Sequence, residues 1–79
     1  MSVLLNTTLR RIVSKPDVMG GKPCITGTRI TVEVIVRRFA ERYTLAEVLD
    51  DYPPLTEPDV RAALEYAAQL AGSSRGEAA

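Results

Sequence analysis

Proline and glycine divide this chain into short segments, and their positions constrain its fold more than any other feature. Residues 16–23 contain two prolines and two glycines, which together mark a loop. Further along, the Pro53-Pro54 pair must stop a helix, and Gly72 is typical of a residue that follows a helix. The intervals between these breaks are long enough only for short strands and for helices of a few turns.

Short strands are predicted on both sides of the loop. Arg11–Val13 and Cys24–Thr26 are enriched in β-branched residues, and Gly27 ends the second strand. Because two strands alone are barely stable in water, this β segment is expected to pair with a further element, such as its copy in a second subunit.

A first helix is predicted to begin after the N-cap residue Thr31 and to reach about Arg42. Apolar residues recur at helical spacing along it and predict its buried stripe. These are Val32, Ile35, Val36, Phe39 and Tyr43.

Two more helices are predicted between this one and the C-terminus. Thr44 and Glu47 form a capping box for the second, which is expected to bury Leu45, Val48, Leu49 and Tyr52. Thr56 is suited to cap the third helix, which should end at Gly72 and leave residues 72–79 as a disordered tail.

The chain is short and lacks the usual means of reinforcing a small core. Its 79 residues allow one domain, and Cys24 is the only cysteine, so no disulfide framework is possible. No histidine is present, which excludes the common zinc sites within one chain, and no cofactor is expected. A homodimer or a tight complex is therefore expected.

The N-terminus does not resemble a secretion signal and no apolar run is long enough to span a membrane, so a cytoplasmic location is expected.

Charge is distributed unevenly along the sequence. Residues 1–42 carry eight cations and three anions, whereas residues 43–79 carry two cations and seven anions. The basic half could meet phosphates or an acidic protein surface, and the acidic half a basic partner. Alternatively, the two halves attract one another within a dimer.

The third predicted helix is apolar around most of its circumference. After the first turn its polar stripe is only Arg61, Glu65 and Gln69. Such a helix is normally covered on more than one side, which favours contact with another chain, although exposed alanines would need no cover. Four residues are candidates for partner binding: Tyr66, Leu70, Glu65 and Gln69.

Two motifs carry a resemblance to a known family. Residues 20–30 read GGKPCITGTRI, and residues 52–60 read YPPLTEPDV. Together they closely resemble the bacterial family named domain of unknown function 433, whose pattern is GGKPxIxGTRIxV, a helix, and then YPxLTxxDVxAALxYAA. The resemblance covers about residues 11–70. The family often has a glycine between the first two helices, where this chain has Glu41-Arg42-Tyr43, so the turn geometry is expected to differ.

The resemblance implies a mainly α fold, in which a short N-terminal β segment precedes a three-helix, homeodomain-like or helix-turn-helix core. The expected divisions are a β segment at residues 1–30, involved in dimerisation, a helical core at 31–71 and a disordered tail at 72–79. Members of the family are commonly treated as VapB-type antitoxins encoded beside a PIN-like ribonuclease toxin. The resemblance thus implies such a toxin as partner.

The first motif also makes physical sense by itself. Gly27 is expected to take a positive φ, and Thr28 and Thr31 can satisfy amides at the start of the first helix. Arg29 could grip a carboxylate or phosphate, or it could pair within the chain to an aspartate at position 17, 50 or 51. The motif residues predicted to matter structurally are Gly21, Pro23, Gly27, Thr28 and Arg29.

Operator DNA is a further possible partner. A helix-turn-helix protein reads bases from the start of its last helix, but here Glu57 and Asp59 would repel phosphates at that position. DNA binding would instead depend on basic residues elsewhere. The candidates are Arg10, Arg11, Lys15, Lys22, Arg29, Arg37, Arg38, Arg42 and Arg61.

Catalysis is not expected from this sequence. Cys24 has no histidine to activate it and lies in a predicted strand, and the adjacent Asp50 and Asp51 would point in different directions. The leading hypothesis is a type II antitoxin that neutralises a PIN-like ribonuclease and could regulate its own operon by binding DNA. A homodimeric DNA-binding regulator without a toxin is the alternative, and a structural adaptor is a third.

Overall fold

The computed structural model of the protein describes residues 10–75. In this range, two strands, β1 (Ile12–Val13) and β2 (Cys24–Ile25), flank a 3₁₀ turn at Met19–Gly21. Three helices follow: α1 (Val32–Ala40), α2 (Leu45–Asp51) and α3 (Glu57–Arg75). The predicted fold class, mainly α after a short β segment, is confirmed. The first nine residues of the predicted β segment and the last four of the predicted tail lie outside the described residues.

The two strands form an antiparallel hairpin, and the segment that follows the hairpin adds further hydrogen bonds to β2. Ile12 pairs with Ile25, and Val13 pairs with Cys24. On the other side of β2, the Ile25 amide donates to the Ile30 carbonyl at 2.9 Å, and Cys24 forms a bridge with Thr31. The return of the chain therefore supplies a neighbour for β2, and one chain provides part of the support that the short strands need.

A tight turn connects β2 to this returning segment. The Thr28 amide donates to the Ile25 carbonyl at 2.9 Å, and Gly27 has a φ of 83°. A positive φ at the third residue of a turn is characteristic of type II geometry, which disfavours any side chain with a Cβ. The positive φ expected at Gly27 is confirmed.

Helix α1 is capped at both ends by local hydrogen bonds. The Thr31 hydroxyl accepts from the Val34 amide at 3.0 Å, as its N-cap role predicts. At the C-terminal end, the Tyr43 amide donates to the Arg38 carbonyl and the Arg42 amide to the Phe39 carbonyl, both at 3.0 Å. This pair of bonds is a Schellman motif, and it ends the helix at Ala40, two residues before the expected end.

Helix α2 begins at a threonine cap, whereas the cap of α3 is the Asp59 carboxylate, because the Thr56 hydroxyl donates and does not accept from an amide. Thr44 and Glu47 form the predicted capping box, with bonds of 2.8 and 3.1 Å between side chains and amides. At α3, the Asp59 carboxylate accepts from both the amide and the hydroxyl of Thr56 at 3.0 Å. The predicted end of α3 at Gly72 is wrong, because the helix continues to Arg75. Gly72 does not have the positive φ of a terminating glycine, and a helix tolerates glycine at a modest cost.

The core lies where α1 packs against α3, with α2 and the hairpin closing its sides. Ile35 of α1, Val48 of α2 and Ala63 of α3 are completely buried, and Ile12 and Ile25 join the same cluster from the hairpin. Leu55, which precedes α3, is also buried. Of the residues predicted to be buried, six are only half-buried around this centre: Val36, Phe39, Tyr43, Leu45, Leu49 and Tyr52.

Candidate functional site

An open depression lies between α1 and α3, and we call it the α1–α3 groove. Its volume is about 500 Å³. The residues that line it are Lys22, Pro23, Val32, Glu33, Val36, Arg37, Ala40, Tyr66, Ala67 and Leu70. Alanines at positions 40 and 67 leave space between the helices that larger side chains would fill, so apolar surface remains open to solvent.

The groove combines apolar walls with an ionic rim. Leu70 is 54% exposed, although a large aliphatic side chain gains free energy from burial. At the rim, Glu33 accepts hydrogen bonds from Lys22 at 2.9 Å and from Arg37 at 2.8 Å. These two cations, with the Lys22 hydrogen bond contributing most, lower the pKa of Glu33 below its ordinary value.

The groove contains two of the four residues predicted to bind a partner. Tyr66 and Leu70 both line it. Glu65 and Gln69 do not line it, and the Gln69 amide instead donates to the Glu65 carboxylate at 2.8 Å. Sequence reasoning missed Val36 as a contributor, because its position in the apolar stripe of α1 predicted a core residue.

Five of the nine candidate DNA-binding cations are already engaged with carboxylates. Arg11 pairs with Asp59, Lys22 and Arg37 pair with Glu33, Arg38 pairs with Glu41, and Arg61 pairs with Glu57. Within residues 10–75, the other four lack a carboxylate oxygen within 4.0 Å. These are Arg10, Lys15, Arg29 and Arg42.

An ion pair with Arg11 engages the Asp59 carboxylate at the start of α3. The Arg11 guanidinium donates to the Asp59 carboxylate at 2.9 Å, and the Asp59 side chain is only 13% exposed. Asp59 is thus neutralised and turned to a capping role, and does not face an approaching ligand as the sequence predicted.

Arg38 holds the α1–α2 turn against the end of α2. Its guanidinium lies 5.0 Å from the ring centre of Tyr43 and 5.7 Å from that of Tyr52, and it donates to the Tyr52 hydroxyl at 3.1 Å. The hydrogen bond to Tyr52 is the main cause that raises the pKa of Arg38. A cation held against two aromatic rings contributes to the stability of this turn, and contact of Arg38 with DNA stays a prediction.

The motif residues Thr28 and Arg29 are placed differently from what the sequence predicted. The Thr28 hydroxyl donates to the Ile25 carbonyl at 2.8 Å and accepts from the Ile30 amide at 3.0 Å, so it stabilises the turn and does not cap α1. Arg29 forms none of the predicted pairs with aspartates at 17, 50 or 51. It lines a second depression, on the hairpin, together with Lys15.

Gly21 and Pro23, the other motif residues, support the hairpin through their carbonyls. The Gly21 carbonyl accepts from the Ser14 hydroxyl, and the Pro23 carbonyl accepts from the Val32 amide at 2.9 Å. Gly21 has a φ of 88°, consistent with a loop glycine.

The groups considered for catalysis lie in two different elements, Cys24 in β2 and the two aspartates in α2. Cys24 is 1% exposed, and its thiol donates to the Lys22 carbonyl at 3.4 Å. Asp50 and Asp51 are exposed at the end of α2. Among residues 10–75, histidine, cysteine, aspartate and glutamate form no group of three or more that could hold a metal ion.

In the same part of the chain, no helix has the length and apolar character needed to cross a membrane.

This architecture defines a small, mainly helical domain in which three helices pack on a β hairpin and leave an apolar groove open. The chain belongs to the family described as protein of unknown function (DUF433), whose model matches residues 12–67.

Two relatives match this chain, one by sequence and one by sequence and structure. The chain is 32% identical over 56 residues to the uncharacterized protein y4eO of Sinorhizobium fredii, a match that covers 71% of this chain and 25% of that protein. It therefore spans a quarter of the length of that curated relative. A crystal structure of a DUF433 member protein from Anabaena variabilis has 32% identity and a TM-score of 0.77, and the match covers 92% of this chain and 72% of that one.

Proposed function

We propose that this protein is an antitoxin that binds and neutralises a PIN-like ribonuclease toxin, and that the α1–α3 groove is its docking surface. The observation that carries the proposal is the open apolar groove, with Tyr66 and Leu70 on one wall and Val36 on the other. Aromatic side chains such as Tyr66 are typical anchors of protein interfaces, and the aliphatic side chains beside it supply apolar surface that a partner can bury.

The chemistry of the groove favours an amphipathic partner segment. Its apolar walls would receive the apolar face of a helix, which binds through residues spaced three and four apart. Lys22, Glu33 and Arg37 at the rim would exchange ion pairs with polar residues flanking that face. Both kinds of contact fit a folded protein partner better than a nucleic acid.

The sign of the charge near α3 supports a ribonuclease as partner. Residues 43–79 contain seven anions and two cations, so this half of the chain is acidic. A surface that binds RNA is usually basic, and complementary potentials steer association and restrict partner choice. An acidic surface formed by this half of the chain would compete with the RNA substrate for the nuclease.

The test measures binding to a PIN-like nuclease encoded by the neighbouring gene, with Leu70→Lys as the disruptive variant. A lysine in the groove should weaken affinity at least tenfold, because a buried charge at an anchor position costs more than about 1.4 kcal/mol. The same variant should lose the ability to rescue growth when the nuclease is expressed.

Leu64→Lys is the matched control, because Leu64 lies on the same helix, is 37% exposed and does not line the groove. It should bind and rescue like the unmodified protein. The proposal fails if the nuclease does not bind, or if both variants weaken binding equally. Circular dichroism of both variants establishes that they remain folded.

A homodimeric DNA-binding regulator is the second candidate. It is favoured by Arg10, Lys15 and Arg29 on the hairpin side of the molecule, which form no ion pair within residues 10–75. A dimer would present this set twice, as two half-sites require. Gel shifts with the upstream operator at several salt concentrations test it, because phosphate contacts give a steep salt dependence. Arg10→Gln should weaken binding and reduce that salt dependence, and binding that is indifferent to sequence and salt would contradict the candidate.

A further inference from the structure

The second depression lies on the hairpin, and we call it the hairpin pocket. Its volume is about 340 Å³, and it is lined by Val13, Lys15, Val18, Cys24, Gly27, Thr28 and Arg29. We propose that this pocket binds a small organic anion, in which a carboxylate or phosphate group is attached to a compact apolar group. The pocket shares no lining residue with the α1–α3 groove, so this inference is independent of the proposed antitoxin function.

Two cations at the pocket provide the first argument. Within the described residues, neither Lys15 nor Arg29 has a carboxylate oxygen within 4.0 Å. Five other cations of the same chain are paired, so two unpaired ones around a single small cavity leave a concentrated positive charge. Arg29 can bind a carboxylate or phosphate through two parallel hydrogen bonds, and Lys15 can add a third.

The wall that carries Arg29 is held rigidly. The Ile25 carbonyl accepts from both the amide and the hydroxyl of Thr28, at 2.9 and 2.8 Å. The Ile30 amide then donates to the Thr28 hydroxyl at 3.0 Å, which fixes the backbone on both sides of Arg29. A fixed backbone reduces the conformational entropy that ligand binding would otherwise have to overcome.

The segment that carries Lys15 and Val18 is fixed in a similar way. The Val18 amide donates to the Lys15 carbonyl at 3.0 Å, and the Ser14 hydroxyl donates to the Gly21 carbonyl. Lys15 and Val18 therefore lie on a closed turn, and the two cations approach the cavity from different segments of the hairpin.

The apolar residues of the pocket explain why a bare inorganic ion is a poor match. Val13, Val18 and the buried Cys24 line the pocket together with the two cations. The cavity volume falls within the range of about 300–1,000 Å³ that is typical of small-molecule sites, at its lower end. A ligand with a short apolar group would cover these residues while its anionic group meets Lys15 and Arg29.

The experiment follows amide resonances of Cys24, Gly27 and Thr28 by NMR during titration at constant ionic strength. Benzoate and phenyl phosphate are the two probes, since each joins a compact apolar group to one of the two anionic groups. At least one should give saturable shifts with a dissociation constant in the millimolar range, and their comparison identifies the preferred anion. Inorganic phosphate and benzyl alcohol, which lack one half of this chemistry, should bind about tenfold more weakly.

Variants test whether the two cations bind the anion. Arg29→Gln and Lys15→Gln should each weaken binding of the preferred probe about tenfold, because each removes a charge-assisted hydrogen bond. Arg42→Gln is the control, since Arg42 is also unpaired but does not line the pocket. The inference is overturned if neither probe saturates, if inorganic phosphate binds as tightly as phenyl phosphate, or if Arg42→Gln weakens binding as much as Arg29→Gln.

Discussion

Arg42 occupies a backbone conformation that suits glycine better than arginine. Its φ is 75°, and it follows the C-cap residue of α1 in the Schellman motif. A left-handed conformation costs a residue with a Cβ roughly 1–2 kcal/mol. A glycine would adopt this conformation without the penalty of a Cβ, whereas this chain accepts the strain.

Replacing Arg42 with glycine should stabilise the protein. We expect Arg42→Gly to raise the free energy of unfolding by about 1 kcal/mol, because relief of the strain exceeds the extra entropy of glycine in the unfolded chain. Urea denaturation measures the change. Arg42→Ala retains the Cβ and should remain near the original stability, so an alanine variant as stable as the glycine variant would contradict the explanation.

At the scale of elements, the starts of the helices were predictable and the long-range pairings were not. Thr31 and Thr44 cap helices through residues three positions away, so local sequence contains the whole interaction. Arg11 and Asp59 are 48 positions apart, and their pairing exists only after α3 packs beside the hairpin. Sequence reasoning accordingly treated the two residues as separate surface charges.

The difference between local and long-range interactions also explains which parts of the candidate sites could be predicted from the sequence. Tyr66 and Leu70 could be predicted as partner-binding residues because they lie four positions apart, on one face of α3. The opposite wall of the groove depends on how α1 lies against α3, and local periodicity does not contain that information. The pocket that unites Lys15 with Arg29 likewise requires the hairpin to close.

The ion pair between Lys22, in the loop before β2, and Glu33 of α1 should weaken in acid. Lys22 and Arg37 lower the pKa of Glu33 below its ordinary value of 4.5, so the folded protein favours the charged carboxylate. The resulting stabilisation is fully present above the unfolded pKa and disappears as the pH falls through the lower, folded pKa.

Comparison of the unmodified protein with Glu33→Gln isolates this effect. Urea denaturation across a pH series should show the unmodified protein as the more stable one near neutrality, and the difference should shrink as the pH falls below 4.5. A difference that stays constant on acidification would show that Glu33 does not contribute through its charge.

At the scale of the whole molecule, the uneven charge is only slightly compensated within the chain. Among the ion pairs of residues 10–75, the one between Arg11 and Asp59 joins the basic and acidic halves, and the other four lie within one half. Most of the opposite charge thus remains available to a second copy or to another partner.

The proposed homodimer makes a prediction about thermal stability. Because association stabilises only the folded chains, the midpoint of thermal unfolding should rise with protein concentration. Differential scanning calorimetry over a hundredfold concentration range measures this, with sedimentation equilibrium as an independent readout. A midpoint independent of concentration, together with a monomer mass, would contradict the dimer.

The hairpin has strands of only two residues each, yet its Ile12 and Ile25 belong to the same buried cluster as Ile35 and Val48. Arg11 fastens it further to the first turn of α3. Short strands usually open by local fluctuation, but these can separate only if apolar surface is withdrawn from the helices. Hydrogen exchange at the strand amides should therefore report the opening of the whole domain, and the hairpin would unfold together with the helices as a single cooperative unit.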